Sequence, residues 1–251
     1  MIDTQFNFPK AIYKRDEISV AEYLMSLRKL LTDEFMAGFE TLEEAVKSRG
    51  SNSLDRSEWG IPIEYTSKYI RTLDVNNQEY TNNIDSWKAI EFRYKCDNLD
   101  EIGIIDQTME EDHAYAKFYP TAYNLIKKYG RYCPIANYSI MAPNSVLLRH
   151  TGPENRQGKY VRIHIPLIIP EGDIFLEVNG EEVNWSDIFA FNNQLPHSSH
   201  NLSSEYRLIF LIDLEREFIG MNPGSVYDNR IEKYAKPFLR NNKEWHLYKE
   251  D

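Results

Sequence analysis

Three histidines and two arginines set the chemistry open to this chain. His150-Thr151-Gly152 is followed by Arg162-Ile163-His164, then His197, then Arg207, all in a stretch that otherwise reads as short β-strands. Two neutral imidazoles can hold a first-row metal, and guanidinium forks suit carboxylates. Together they point to a metal centre served by an organic acid. A face of two histidines and one carboxylate would place Asp or Glu two residues after the first histidine. That position is Gly152, which has no side chain to offer.

The elements that must position these groups follow from turn signals and period-two alternation. Segments 137–141, 145–149, 159–168, 174–178, 188–191 and 206–214 read as strands separated by Gly, Pro, Asn and Asp. Asn179-Gly180 is a type I′ hairpin signal. Along the strands Arg162 and His164 share one face, against Val161, Ile163, Ile165 and Leu167 on the other. Arg207 shares a face with Ile209 and Leu211, and His150 with Val146 and Leu148, which leaves Arg149 opposite. His150, Arg162, His164 and Arg207 are therefore expected to point into one barrel mouth.

Before residue 133 the texture differs. Val20, Tyr23, Leu24, Leu27, Leu30, Leu31 and Phe35 recur at helical spacing, predicting a helix from Ser19 to about Phe39. Thr41-x-x-Glu44 reads as the capping box of a second, short helix ending at Gly50. Residues 51–110 are polar and mixed, with Trp59 and Trp87 as loop anchors. Pro120 to Tyr129 reads as a helix begun by proline and ended by Gly130. The expected architecture is mainly β: a double-stranded β-helix, jelly-roll and cupin-like, over residues 116–218. A helical or irregular annex, 1–115, packs on it and shapes the pocket, and a tail, 219–251, is helical around 226–238.

Length and charge bound the rest. The 251 residues suffice for a full core, and a formal charge of −10 argues against a nucleic-acid polymer or an anionic membrane as partner. The leading residues MIDTQFNFPKAIYKRDE contain no apolar core of a signal peptide. Two cysteines, Cys96 and Cys133, are then expected as free buried thiols in the cytoplasm. No partner protein is expected.

Five segments resemble the aspartyl/asparaginyl β-hydroxylase family of Fe(II)/2-oxoglutarate oxygenases. They are Ser139-Ile140-Met141-Ala142-Pro143, His150-Thr151-Gly152-Pro153-Glu154-Asn155, Arg162-Ile163-His164-Ile165-Pro166-Leu167, Phe191-Asn192-Asn193-Gln194-Leu195-Pro196-His197 and Tyr206 to Asp213. The resemblance implies His150 and His197 as iron ligands, and Ser139, Arg162, His164 and Arg207 as the residues holding 2-oxoglutarate. It makes His150, His197 and Arg207 the groups on which catalysis rests. Gly152 fits a family that has glycine at this position. Asn192 and Asn193 stand where the family typically has two Asp residues, one of which steadies iron-bound water.

The implied activity uses Fe(II), 2-oxoglutarate and O2 to hydroxylate an unactivated C–H bond of a small amino acid, a peptidyl residue or a related metabolite. Two other readings stay open. One is a halogenase on the same two-histidine site, since replacing a carboxylate by Asn lowers the repulsion toward chloride. The other is a non-catalytic β-barrel sensor that binds a dicarboxylate. At the residue level, His164 can instead pair with a backbone group, and His150, His197 and His200 can be read as a zinc triad with water fourth. Arg149, Arg156 and Lys159 read as a solvated loop face or a positive rim.

Overall fold

The computed structural model describes residues 10–48, 70–74, 79–82, 87–96, 105–108, 118–152, 160–216 and 218–219. Among these the helices are α1 (Ala21–Ser26), α2 (Arg28–Ser48) and α3 (Pro120–Tyr129). The strands before α3 are β1 (Ile12–Tyr13), β2 (Ile70–Asp74), β3 (Glu79–Asn82), β4 (Trp87–Cys96) and β5 (Ile105–Thr108). After it come β6 (Ile135–Met141), β7 (Ser145–His150), β8 (Tyr160–Ile168), β9 (Ile174–Val178), β10 (Glu181–Glu182), β11 (Phe189–Phe191), β12 (His197–Asn201) and β13 (Arg207–Glu215).

The strands form two antiparallel sheets, ordered β1-β11-β8-β13-β6-β4-β5 and β10-β9-β12-β7-β2-β3. From β6 to β13 the chain passes back and forth between the sheets, breaking that rhythm only at the tight β9–β10 hairpin. That is the jelly-roll arrangement. Asn179 and Gly180 turn the hairpin with φ of 52° and 86°, both in the region a type I′ turn requires.

Alternation makes the seven-stranded sheet two-faced. Leu208, Phe210, Ile212 and Leu214 of β13, with Ile163 and Ile165 of β8 and Tyr138 of β6, join Leu24, Leu31, Phe35, Leu125 and Ile126 of the helices in one buried core. Tyr138 sits at its centre, its ring 5.2 Å from Phe35 and 5.1 Å from Phe210, while its hydroxyl donates to the Leu31 carbonyl. The helical side thus seals one face and leaves Arg207, Asp213, Arg162, His164 and Ser139 on the other, toward the second sheet.

Some elements depart from the sequence expectation. The first helix breaks at Leu27 and the second then runs unbroken through the Thr41 capping box to Ser48, so no separate short helix starts there. Continuing a helix that is already formed adds one hydrogen bond per residue fixed, whereas a new start would need a costly nucleus, so the local signal does not interrupt α2. The segment read as polar and mixed supplies β2 to β5, which extend both sheets at their edges. Of these four, only β3 and β5 are true edges; β2 and β4 each lie between two strands, and β4 buries Ala89, Ile90 and Phe92. Helix α3 has the expected bounds, with Pro120 at its start and Gly130 at φ 51° past its end. Cys133 is a free buried thiol pushed up by that burial. Trp59, the expected tail helix, and the side chain of Cys96 lie outside the described residues.

Candidate active site

His150 ends β7 and His197 opens β12, and the antiparallel register sets them directly opposite. Their ring centroids are 4.3 Å apart. Each ring turns Nδ1 to a carbonyl two residues earlier: His150 to Leu148 at 2.7 Å and His197 to Leu195 at 2.8 Å. A carbonyl only accepts, so Nδ1 must carry the proton and Nε2 is the unprotonated nitrogen of each ring. Both imidazoles are thereby fixed in the tautomer a metal takes through Nε2. Burial, with His150 alongside, pushes His197 well below its usual value, which keeps it neutral and able to ligate.

Gly152 is glycine for want of space. Its N–H donates to the Asn193 carbonyl at 2.6 Å. A Cβ here would lie 2.4 Å from Asn193 Nδ2 and 3.0 Å from its carbonyl oxygen. The turn through Asn192 and Asn193, both fully buried, is closed by Leu195 N–H to the Asn192 carbonyl and Gln194 N–H to Asn192 Oδ1. Asn193 therefore fills the volume that a third-ligand side chain would need.

Behind the histidine pair lies a second cluster. Arg207 is 4% exposed and reaches across to the other sheet, Nη1 donating to Ser199 Oγ at 2.9 Å. No carboxylate pairs with it among the described residues, its Nε has no partner, and burial pushes it down to about 10. His164 is buried with neither ring nitrogen bonded, and desolvation followed by the Arg207 and Arg162 charges holds it neutral. Phe191 joins the two clusters, its ring 5.1 Å from His164 and 5.4 Å from His197.

The remaining expected residues are brought to the same face in different states. Arg162 lies across from Asp213 on the neighbouring strand and forms a two-pronged pair with it, Nε to Oδ1 and Nη2 to Oδ2 at 2.9 Å each. Ser139 is buried, and its hydroxyl accepts from Trp87 Nε1 at 2.6 Å, which leaves its proton to give. Arg149 turns away and pairs with Glu177 at 2.8 Å. His200 points to the opposite side of β12, bonds Asp173 and stacks on Phe175. No three potential metal ligands of the His, Cys, Asp and Glu type come together among the described residues, so the zinc triad does not assemble. Arg156 and Lys159 lie outside the described residues.

Four neighbours of these groups escaped the sequence reading. Asp213 was legible in principle, because it shares the parity of Arg207 along β13. Trp87 read as a generic anchor, Ser199 lies in a strand without apolar alternation, and Trp185, 5.0 Å from the Arg207 guanidinium, lies in a turn where no periodicity operates.

The aspartyl/asparaginyl beta-hydroxylase family profile matches residues 56–217, more than half of the chain. The chain belongs to the aspartyl/asparaginyl beta-hydroxylase family. The human and mouse proteins of that name are each 32% identical over 79 residues, 31% of this chain. Those residues are 10% of the length of either relative, so the similarity is to a small part of each. Among solved structures, a 2OG-Fe(II) oxygenase-family oxidoreductase from Burkholderia pseudomallei is similar over 53% of this chain and 70% of its own, with TM-score 0.39 and 11% identity. No described helix of this family member is long and apolar enough to cross a membrane.

Proposed function

We propose that this β-hydroxylase family member is an Fe(II)- and 2-oxoglutarate-dependent enzyme that hydroxylates an unactivated C–H bond of a small amino acid, a peptidyl residue or a related metabolite. The observation that carries the reading is Arg207, a buried cation without a carboxylate among the described residues, in the same cluster as a buried histidine with two unbonded nitrogens. A buried unpaired charge is costly, and a diacid relieves it. Its position fits as well. Arg207 bonds Ser199, two residues along β12 from His197 on the same face, or roughly 7 Å at about 3.4 Å per residue. A five-carbon diacid held at one end by a metal reaches an arginine at the other over such a span.

When bound, Fe(II) with 2-oxoglutarate and O2 would supply the oxidising power for C–H hydroxylation. The protein's residues do the positioning. His150 and His197 present Nε2 lone pairs, and the Leu148 and Leu195 carbonyls hold the rings. Arg207 takes the distal carboxylate, with Ser199 fixing one arm of its fork. Ser139, His164 and Arg162 give the remaining donors. Phe189 and Phe191 keep water from the acid. No residue needs to move a proton, so orientation and water exclusion are the protein's contribution.

Halogenation is a second reading, favoured by one observation. The group beside Gly152 is the neutral Asn193 amide, which repels a halide less than a carboxylate does.

Iron titration and 2-oxoglutarate turnover to succinate test the proposal. His150→Ala and His197→Ala should each abolish iron binding while circular dichroism stays unchanged. Full iron occupancy in both variants removes them as ligands. Iron and 2-oxoglutarate binding without turnover, across a screen of amino acids and peptides, supports the dicarboxylate sensor instead. A product heavier by chlorine in chloride buffer supports the halogenase.

A further inference from the structure

We propose that Trp185 is a further co-substrate residue: its indole N–H donates to the distal carboxylate of the bound diacid, and its ring face holds Arg207 in place. The inference rests on the 2-oxoglutarate reading above and adds a residue to it.

Trp185 sits in the turn between β10 and β11, yet that turn is stiff. Ser186 N–H donates to Asn184 Oδ1 at 2.9 Å and Ile188 N–H to Asp187 Oδ1 at 2.8 Å. Val183, buried just before it, donates its N–H to the Leu176 carbonyl at 3.0 Å. The indole is thus delivered to a set position. Its ring carries the Arg207 guanidinium 5.0 Å from the centroid, stacks on His164 at 6.2 Å and 22°, and meets Phe189 edge-on at 5.2 Å.

The decisive atom is Nε1, buried and without a hydrogen-bond partner. Indole N–H is donor only, and leaving such a group unmet in the interior is costly. Arg207 Nε and both His164 nitrogens are in the same condition. Four unmet polar atoms therefore lie on three side chains, Trp185 and the two packed against its ring. Scattered orphans would be packing faults. Orphans gathered round one arginine mark the place of a ligand with several acceptor oxygens. The distal end is the one assigned because the indole lies against Arg207, whose partner Ser199 stands two residues along β12 from His197. A neutral donor there adds a hydrogen bond and leaves the single charge of Arg207 matched to a single carboxylate.

The test uses the full chain loaded with Zn(II), which accepts the same imidazoles without redox chemistry. Calorimetry compares 2-oxoglutarate with 2-oxobutyrate, which has no distal carboxylate. Trp185→Phe, which keeps a ring beneath Arg207 and removes only the donor, should weaken 2-oxoglutarate about ten- to hundred-fold. It should leave 2-oxobutyrate within about twofold. In the wild type, the Trp185 indole proton should move downfield in NMR on adding 2-oxoglutarate, and its signal can be assigned by substituting each of the chain's four tryptophans. Unchanged 2-oxoglutarate affinity in a folded Trp185→Phe, equal loss for both acids, or an indole proton that ignores the ligand overturns the assignment. Absence of 2-oxoglutarate binding in the wild type overturns the hydroxylase reading and this inference together, and so is told apart from the variant's failure.

Discussion

Arg162 and Arg207 lie on neighbouring strands of one sheet, face the same interior, and have been built into opposite electrostatic states. Arg162 has both prongs of its guanidinium on Asp213. Arg207 has one hydroxyl and one aromatic face. The first is close to neutral as a unit, so it orients a donor without adding charge to the pocket. The second keeps its charge where water cannot screen it. A pocket with two free cations would bind any dianion. One neutralised and one bare cation, set apart along the strands, ask for a single carboxylate at one end and a metal-bound group at the other.

The largest effect that would break this contrast is at Arg207. Arg207→Leu should weaken 2-oxoglutarate by about 2–5 kcal/mol, roughly 30- to several-thousand-fold. It should also raise the melting temperature of the ligand-free protein, since an unpaired buried charge is removed. Arg207→Lys should restore binding in part, because a point charge cannot reproduce the fork. Unchanged affinity in the Leu variant would move the acid elsewhere.

Asp213→Asn should invert the outcome. Arg162 loses its counter-charge, and stability should fall by about 2–3 kcal/mol in urea melts. Affinity for 2-oxoglutarate should change less than in Arg207→Leu. A larger loss of affinity than of stability would mean that Arg162, too, acts on the acid as a free charge.

Gly152 sharpens the metal end. Gly152→Ala forces a Cβ onto Asn193 and should cost about 1–3 kcal/mol of stability together with iron affinity. Gly152→Asp should fare worse than Ala and gain no ligand, because Asn193 occupies the approach. Asn193→Gly combined with Gly152→Asp should recover iron binding if that crowding is the cause. A wild-type iron affinity in Gly152→Asp alone would show that the turn yields freely.

Much of this was legible in the sequence, for identifiable reasons. Strict alternation placed Arg162, His164 and Arg207 on one face, and the Asn179-Gly180 turn located its hairpin. Strand β12 was missed because His197-Ser198-Ser199-His200-Asn201 has no apolar alternation: its inward residues serve the site. The state of each arginine was not legible either. That depends on the register that sets Asp213 across from Arg162, a long-range pairing that no local pattern encodes. Strands β2 to β5 lacked signal for a similar reason, since their order comes from the long-range pairing of β2 with β7 and β4 with β6 rather than from a local pattern.

The smallest effect is in pH. Burial holds His164 and His197 well below 6.5 in the folded protein. Below that value the unfolded chain binds protons at these two positions that the folded chain does not. The metal-free protein should therefore keep full stability above about 6.5 and lose it as the pH falls, by up to about 1.4 kcal/mol per unit for each imidazole. Urea midpoints at pH 7.5, 6.5 and 5.5 measure the slope before most carboxylates begin to titrate. His164→Leu should roughly halve it and leave the His197 share. Arg207→Leu should leave most of the slope, because desolvation outranks the arginine's charge in holding His164 neutral. A slope halved in Arg207→Leu, as in His164→Leu, would reverse that order and make the bare cation the force that holds His164 neutral.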